Sequence, residues 1–233
     1  MCTPDAANGE SDGASNDEQS DKRSDRATDE RSDRTSDERS GEASDAGATA
    51  VDSVEERRLP PEIGANLRAL FDTEDRPETV GAWVEAVAGA FGDEWPPAVA
   101  DLCHDDEGLH RAETEGETYR FVCVLDAVML PFLTDGSVTV RSEDPETGET
   151  VASRVSRTGI ETDPENAVLS FGVAETEGND APTPEATYGA LCPYVHAFPD
   201  EDAYERWDER TDAPTTALPL SEGFGLARAL VRA

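Results

Sequence analysis

Apolar residues recur at helical spacing in the segment that begins at Pro60. Residues three and four positions apart lie on one face of a helix, so this recurrence predicts amphipathic helices. The first predicted helix has four such positions, which are Ile63, Leu67, Leu70 and Phe71. The second has six, which are Val80, Trp83, Val84, Val87, Ala88 and Phe91. Trp95-Pro96-Pro97 predicts the start of a third helix that runs through Leu102, because proline suits a first helical turn.

A β-hairpin is predicted after these helices, from strands at about residues 109–114 and 118–122 with a turn at Glu115-Gly116. Three short helices followed by a hairpin resemble a winged helix, a unit that often binds DNA. The second and third helices carry no Lys or Arg, however, and binding to phosphates depends on such residues. The sequence therefore favours a packing or lid role for this region.

Strands and helices are mixed in the rest of the chain. Residues 121–132 form an apolar run that predicts a buried helix ending near Pro131. Strands are predicted at residues 137–142, 150–156, 168–173 and 192–198. Asp200 and Ser221 are predicted N-caps of two further helices. The predicted fold class is α+β, with a small winged-helix-like helical region followed by a mixed or antiparallel β-sheet core with helices.

Residues 1–52 are a low-complexity segment of Ser, Asp, Glu, Arg, Gly and Ala. It has almost no apolar surface to bury, so we predict a disordered acidic tail, with a partner-binding arm as the alternative. The predicted division of the chain is this tail, a helical region at 53–116 and a core at 117–233.

The chain has a formal net charge of -34, and 18 of its 19 basic residues are Arg. Acid-rich, Lys-poor chains resemble cytosolic proteins of halophiles, in which high salt screens the repulsion between carboxylates. The charge therefore indicates a saline habitat more than a function. It also argues against nucleic-acid binding, because no basic patch is present.

We expect a cytoplasmic protein without a membrane span. Residues 1–50 contain no apolar segment of the kind found in a signal peptide. The longest apolar run, residues 121–133, is too short to cross a bilayer and contains Asp126. Four cysteines are too few for a disulfide scaffold of this length, so free thiols are expected.

Cys123-Val-Leu-Asp126 and Cys192 are the candidate site. The same Cys-x-x-Asp spacing occurs at Cys2 and Cys103, but Cys2 lies in the acidic tail and Cys103 beside acidic residues 105–107. Only Asp126 has apolar neighbours, among which an ionised carboxylate is costly unless it has a partner or a task. Two thiols and one carboxyl group suit a soft metal ion and a proton transfer at one centre.

The chain resembles the organomercurial (alkylmercury) lyases over about residues 117–230. The resemblance is carried by residues 119–131 with their Cys-x-x-Asp, by Val138-Thr-Val-Arg-Ser142, by Cys192-Pro-Tyr-Val-His196-Ala-Phe198, by Trp207 and by Leu220-Ser-Glu-Gly-Phe-Gly-Leu226. Pro193 and Asp144 stand where the family often has further cysteines.

This resemblance implies protonolysis of a carbon–mercury bond in a lyase core at 117–233. It makes Cys123 and Cys192 the catalytic thiols and mercury ligands, and Asp126 the acid that handles the proton. We expect Cys123 near a helix start, where the dipole stabilises a thiolate. The implied partners are an organomercurial and, as acceptor of Hg(II), small thiols or a mercuric reductase, with no organic cofactor.

Other interpretations remain open. The rival function is a non-catalytic binder of a soft metal, Hg(II) or Cu(I), that uses the same cysteine pair, and a third is a mercury-responsive regulator. Asp126 could be a structural partner of an Arg or a backbone N–H. Cys103 and His104 with His110 could form a second metal site, although an exposed helix end is favoured. His196 is expected to be a core histidine.

Overall fold

The computed structural model of the protein describes residues 54–176 and 182–233, so the predicted acidic tail lies outside the described residues. Within them, α-helices are combined with antiparallel sheets, which confirms the predicted α+β class. The helices of the described residues are α1 (Pro61–Phe71), α2 (Val80–Phe91), α3 (Val124–Leu133), α4 (Pro184–Leu191), α5 (Glu201–Asp208) and α6 (Leu220–Arg232).

The first two helices form as their apolar spacing predicts, and both bury the predicted face. The third predicted helix is wrong, because the segment contains only the short 3-10 turns Gly92–Glu94 and Val99–Asp101. Pro96 and Pro97 have no N–H to donate, and each disfavours a helical residue before it. The Trp95 indole N–H instead donates to the Leu230 carbonyl at 2.6 Å, which holds this segment against α6.

The predicted caps have different outcomes. The Asp200 side chain accepts a hydrogen bond from the Ala203 amide at 2.8 Å and caps α5, as predicted. The Ser221 cap is wrong, because α6 begins two residues earlier, at Leu220, with Pro219 as its N-cap. The Leu220 amide donates to the Ala167 carbonyl at 2.9 Å, which satisfies the first free amide of the helix.

Two antiparallel sheets carry the strands. The larger has the order β2-β1-β3-β4-β5, from β1 (His110–Glu113), β2 (Thr118–Phe121), β3 (Val138–Glu143), β4 (Thr150–Ser156) and β5 (Gly159–Asp163). The smaller has the order β7-β6-β8, from β6 (Val168–Gly172), β7 (Ala197–Phe198) and β8 (Thr215–Pro219). The predicted hairpin pairs β1 with β2, and β1 also pairs with β3. The boundary at residue 116 between the helical region and the core stays a prediction.

The strand predicted at residues 192–198 forms only at its end. Cys192–Tyr194 is a 3-10 turn, and the strand is limited to Ala197–Phe198. Pro193 cannot donate a hydrogen bond to a neighbouring strand, which explains why the ladder starts later. Cys192 therefore lies on a turn that follows α4.

Helix α3 lies between the larger sheet and α6, and it places its first turn inside the protein. All residues from Val124 to Pro131 are buried, so this helix is apolar on every side except at Asp126. Cys123 and Cys192 belong to the same hydrophobic core. No helix of the described residues is long and apolar enough to cross a membrane.

Candidate functional site

Three backbone segments meet at the N-terminal end of α3. Cys123 is the N-cap residue of this helix, and Asp126 lies in its first turn. The amide of Val122 donates to the Cys103 carbonyl at 3.0 Å, and the amide of Val124 donates to the Val195 carbonyl at 3.0 Å. These two bonds on either side of Cys123 bring the segments of Cys103 and Cys192 to the start of the helix.

The side chains converge as well. The sulfur atoms of Cys103 and Cys192 and a carboxylate oxygen of Asp126 all lie within 4.8 Å of one another. Cys123 is outside this group of three, but it lines one cavity together with Asp126 and Cys192. Cys123 and Cys192 are each 5% exposed and Asp126 is 7% exposed. The structure thus brings Asp126 and Cys192 together with Cys103, while Cys123 lies at the start of the helix that carries Asp126.

The placement of Cys103 at an exposed helix end was wrong. Its neighbours His104, Asp105 and Asp106 are exposed, but Cys103 is half-buried and its amide donates to the Asp126 carboxylate at 2.8 Å. The sequence held no signal for this contact, because the partner lies 23 positions further along the chain. The acidic residues that follow Cys103 predicted a surface position for it. Its backbone hydrogen bonds with Val122 and with the Asp126 carboxylate instead hold it half-buried.

The histidines do not join the thiols. His104 is exposed, and its Nε2 contacts the Val99 carbonyl at 2.7 Å. His110 is fully buried and lies 3.2 Å from His196 between ring nitrogens, so the second metal site considered for Cys103, His104 and His110 is not formed. A carbonyl only accepts, so His196 Nε2 donates to Pro193 at 2.8 Å and His196 Nδ1 accepts from His110.

Burial lowers the pKa of both His110 and His196, which stabilises their neutral forms. The hydrogen bond between neutral His110 and His196 holds the turn after Cys192 against strand β1. His196 therefore acts as the core histidine that the sequence predicted.

Asp126 is a carboxyl group that can hold a proton near neutrality. Burial raises its pKa to about 6, while the Cys103 amide and nearby His104 oppose that rise. No Arg contacts it among the described residues, so its hydrogen-bonding partner is a backbone amide. A group with such a pKa is suited to proton transfer.

The thiols differ in how firmly they hold their protons. The hydrogen bond from Cys192 lowers the pKa of Cys103. The hydrogen bonds to Cys103 and Cys123, together with burial, raise the pKa of Cys192. A soft metal ion that replaces the Cys192 proton would be held by sulfur.

An apolar cavity of about 70 Å³ adjoins these groups. Cys123, Asp126 and Cys192 line it, and Cys103 does not. The rest of the lining is mainly aromatic and aliphatic, with Trp83, Phe91, Trp95, Met129, Phe171 and Tyr188 among its members. The cavity can exclude water from the thiols and accept a small apolar group.

Replacement of Asp126 by Asn is expected to change the pH dependence of stability. The folded pKa is above the unfolded value, so the stability contributed by Asp126 is full below the unfolded pKa and is lost as pH rises through about 6. Asn does not titrate. The free energy of unfolding of Asp126→Asn, relative to wild type, should therefore rise by about 2–3 kcal/mol between about pH 4 and pH 7.

Urea unfolding at constant molar salt over this pH range measures the difference. Asp105→Asn is the matched control, because Asp105 is an exposed acid near the same site. A difference between Asp126→Asn and wild type that stays constant with pH would show that Asp126 has an ordinary pKa in the folded protein.

Comparison with known families identifies the chain. The family model described as "MerB: Alkylmercury lyase" matches residues 105–232, which is more than half of the chain. The protein belongs to the alkylmercury lyase family. A solved structure titled "Crystal structure of the mercury-bound form of MerB2" is similar at 15% sequence identity and a TM-score of 0.44, covering 80% of this chain and 97% of that chain. No curated protein matches.

Proposed function

We propose that the protein cleaves the carbon–mercury bond of organomercurials and yields a hydrocarbon and thiolate-bound Hg(II). The observation that carries this proposal is a buried carboxyl group of raised pKa beside two buried thiols, all three on one apolar cavity. A binding site for a soft metal needs the thiols alone. Protonolysis of a carbon–mercury bond requires a proton donor as well, and Asp126 lies beside the thiols as such a donor.

The reaction balances with the residues present. Cys123 and Cys192 replace the other ligands of mercury, and their two protons are released, one of them to Asp126. Asp126 then delivers its proton to the carbon atom, which keeps the electron pair of the carbon–mercury bond. The products are R–H and Hg(II) bound by two sulfur atoms, and no organic cofactor takes part. Two thiolates increase electron density on mercury and so weaken its bond to carbon.

The lining of the cavity favours an apolar organic group on mercury, because its residues are mainly aromatic and aliphatic. Trp83, Phe91 and Trp95 come from residues 53–116 and close it on one side. We therefore propose that this region is the lid of a catalytic core at residues 117–233.

We place this activity in the cytoplasm, with low-molecular-weight thiols or a mercuric reductase as the acceptor of Hg(II). The test is headspace detection of methane from methylmercury, with excess thiol and molar salt to screen the net charge of -34. Wild type should release methane in amounts that exceed the protein. The Cys123→Ser, Cys192→Ser double variant is the negative control.

One observation also favours a second candidate, a non-catalytic binder of Hg(II) or Cu(I). Cys103 gives the site a third sulfur atom, and sulfur-rich sites retain soft metals. Tight Hg(II) binding by wild type without any methane would select this binder and reject the lyase.

A further inference from the structure

A third thiol lies in the site and has no part in the steps proposed above. The Cys103 sulfur is within 4.8 Å of the Cys192 sulfur and of an Asp126 oxygen. The family match begins at residue 105, so Cys103 lies outside the part of the chain that the family describes.

The three thiols are arranged in order from the cavity outward. Cys123 and Cys192 line the apolar cavity and are each 5% exposed. Cys103 does not line the cavity and is only half-buried. Cys192 shares the cavity with Cys123 and its sulfur lies within 4.8 Å of the Cys103 sulfur, so it belongs to both an inner pair and an outer pair.

We propose that Cys103 is a third mercury ligand, which joins Cys123 and Cys192 on the Hg(II) product and presents it to thiols in solution. This inference rests on the proposed function, because the lyase reaction is the source of the Hg(II). The path that the Hg(II) takes is inferred from the positions of the sulfur atoms. Thiolate ligands of Hg(II) exchange by addition of the incoming sulfur before the outgoing one leaves. A third sulfur within 4.8 Å of the shared Cys192 meets that need.

The transfer is a ligand exchange and involves no oxidation. Cys103 loses its proton as its sulfur–mercury bond forms, which gives a centre with three sulfur ligands. The Cys123–mercury bond breaks only when Hg(II) is released to external thiols, and the Cys123 thiolate then takes up a proton. Two external thiols replace Cys103 and Cys192, and their protons pass to these two cysteines. Mercury stays divalent throughout.

The first test uses Hg(II) chloride and the full-length protein under reducing conditions, followed by removal of free thiol. Three sulfur ligands give mercury–thiolate absorption at longer wavelength than two ligands do. Wild type should show the three-sulfur band with one equivalent of Hg(II), and Cys103→Ser should show only the two-sulfur band. Serine keeps the backbone N–H that binds Asp126, and a melting curve checks folding. Cys2→Ser, which also removes one thiol, is the control and should match wild type.

The second test measures how fast dithiothreitol removes Hg(II) from the loaded protein. Cys103→Ser should slow this chase by at least about tenfold, because the external thiol must then reach the buried pair. Cys103→Ala should slow it as much, since neither variant has sulfur at this position. A three-sulfur band that survives in Cys103→Ser, or a chase rate equal to that of wild type, would overturn the proposal. Neither test requires carbon–mercury cleavage. Both tests therefore give an interpretable result even if the protein does not act as a lyase.

Discussion

Cys192→Ser is expected to abolish turnover of methylmercury and to weaken retention of Hg(II) together. A hydroxyl group is a hard ligand and a poor substitute for sulfur on a soft ion. Cys192 shares the cavity with Cys123 and lies within 4.8 Å of the Cys103 sulfur, so its loss breaks the inner and the outer pair at once. The initial rate of methane release should fall by at least about 10³-fold, the kind of loss seen when one member of a catalytic unit is removed.

Cys123→Ser should have a similar effect on turnover, and the double variant should be no worse than either single one. Residues that act as one unit show such non-additive losses. Methane release, an Hg(II) titration and a melting curve are measured for each variant, with Cys2→Ser as the thiol-loss control. Multiple turnovers by Cys123→Ser or Cys192→Ser at the wild-type rate would remove that residue from the mechanism.

Asp126→Asn is expected to separate catalysis from binding. The amide keeps the shape of the side chain and an oxygen for the Cys103 N–H, and all three thiols remain. Hg(II) should therefore bind as in wild type. The amide cannot deliver a proton to carbon, so turnover should fall by about 10²–10⁴-fold, the usual contribution of general acid–base catalysis.

The matched control is Asp105→Asn, which removes an equal charge from an exposed position close to Cys103. It should retain most of the wild-type turnover. An Asn variant at residue 126 with full turnover would exclude Asp126 as the proton donor. A variant that loses activity and melts at a much lower temperature would instead indicate the structural role considered from the sequence.

The helices and strands with regular apolar spacing were predictable from the sequence. The faces of α1 and α2, the hairpin β1–β2, strand β4 and the Asp200 cap depend on near neighbours, and they form as expected. The errors at residues 95–102 and 192–194 both involve proline, which permits several local conformations and leaves the choice to the surroundings.

The candidate site shows the same contrast between local and long-range information. Cys123 and Asp126 lie three residues apart on one helix start, and the apolar residues around them marked them as unusual. Cys192 was connected to them by family resemblance, since nothing in its own spacing requires the contact. Cys103 was misplaced, because its acidic neighbours are exposed while its own amide is bound to a carboxylate 23 residues away.

By itself, then, the sequence determined the α+β class, the apolar start of α3 and the types of group available for chemistry, because these follow from composition and short spacing. Only the tertiary structure decided the order of the three thiols, with Cys123 and Cys192 on the cavity and Cys103 outside it. That order arises from backbone hydrogen bonds between segments far apart in the chain, at Cys103 with Val122 and at Val124 with Val195. Such pairings depend on the packing of the whole core, which no short stretch of residues encodes.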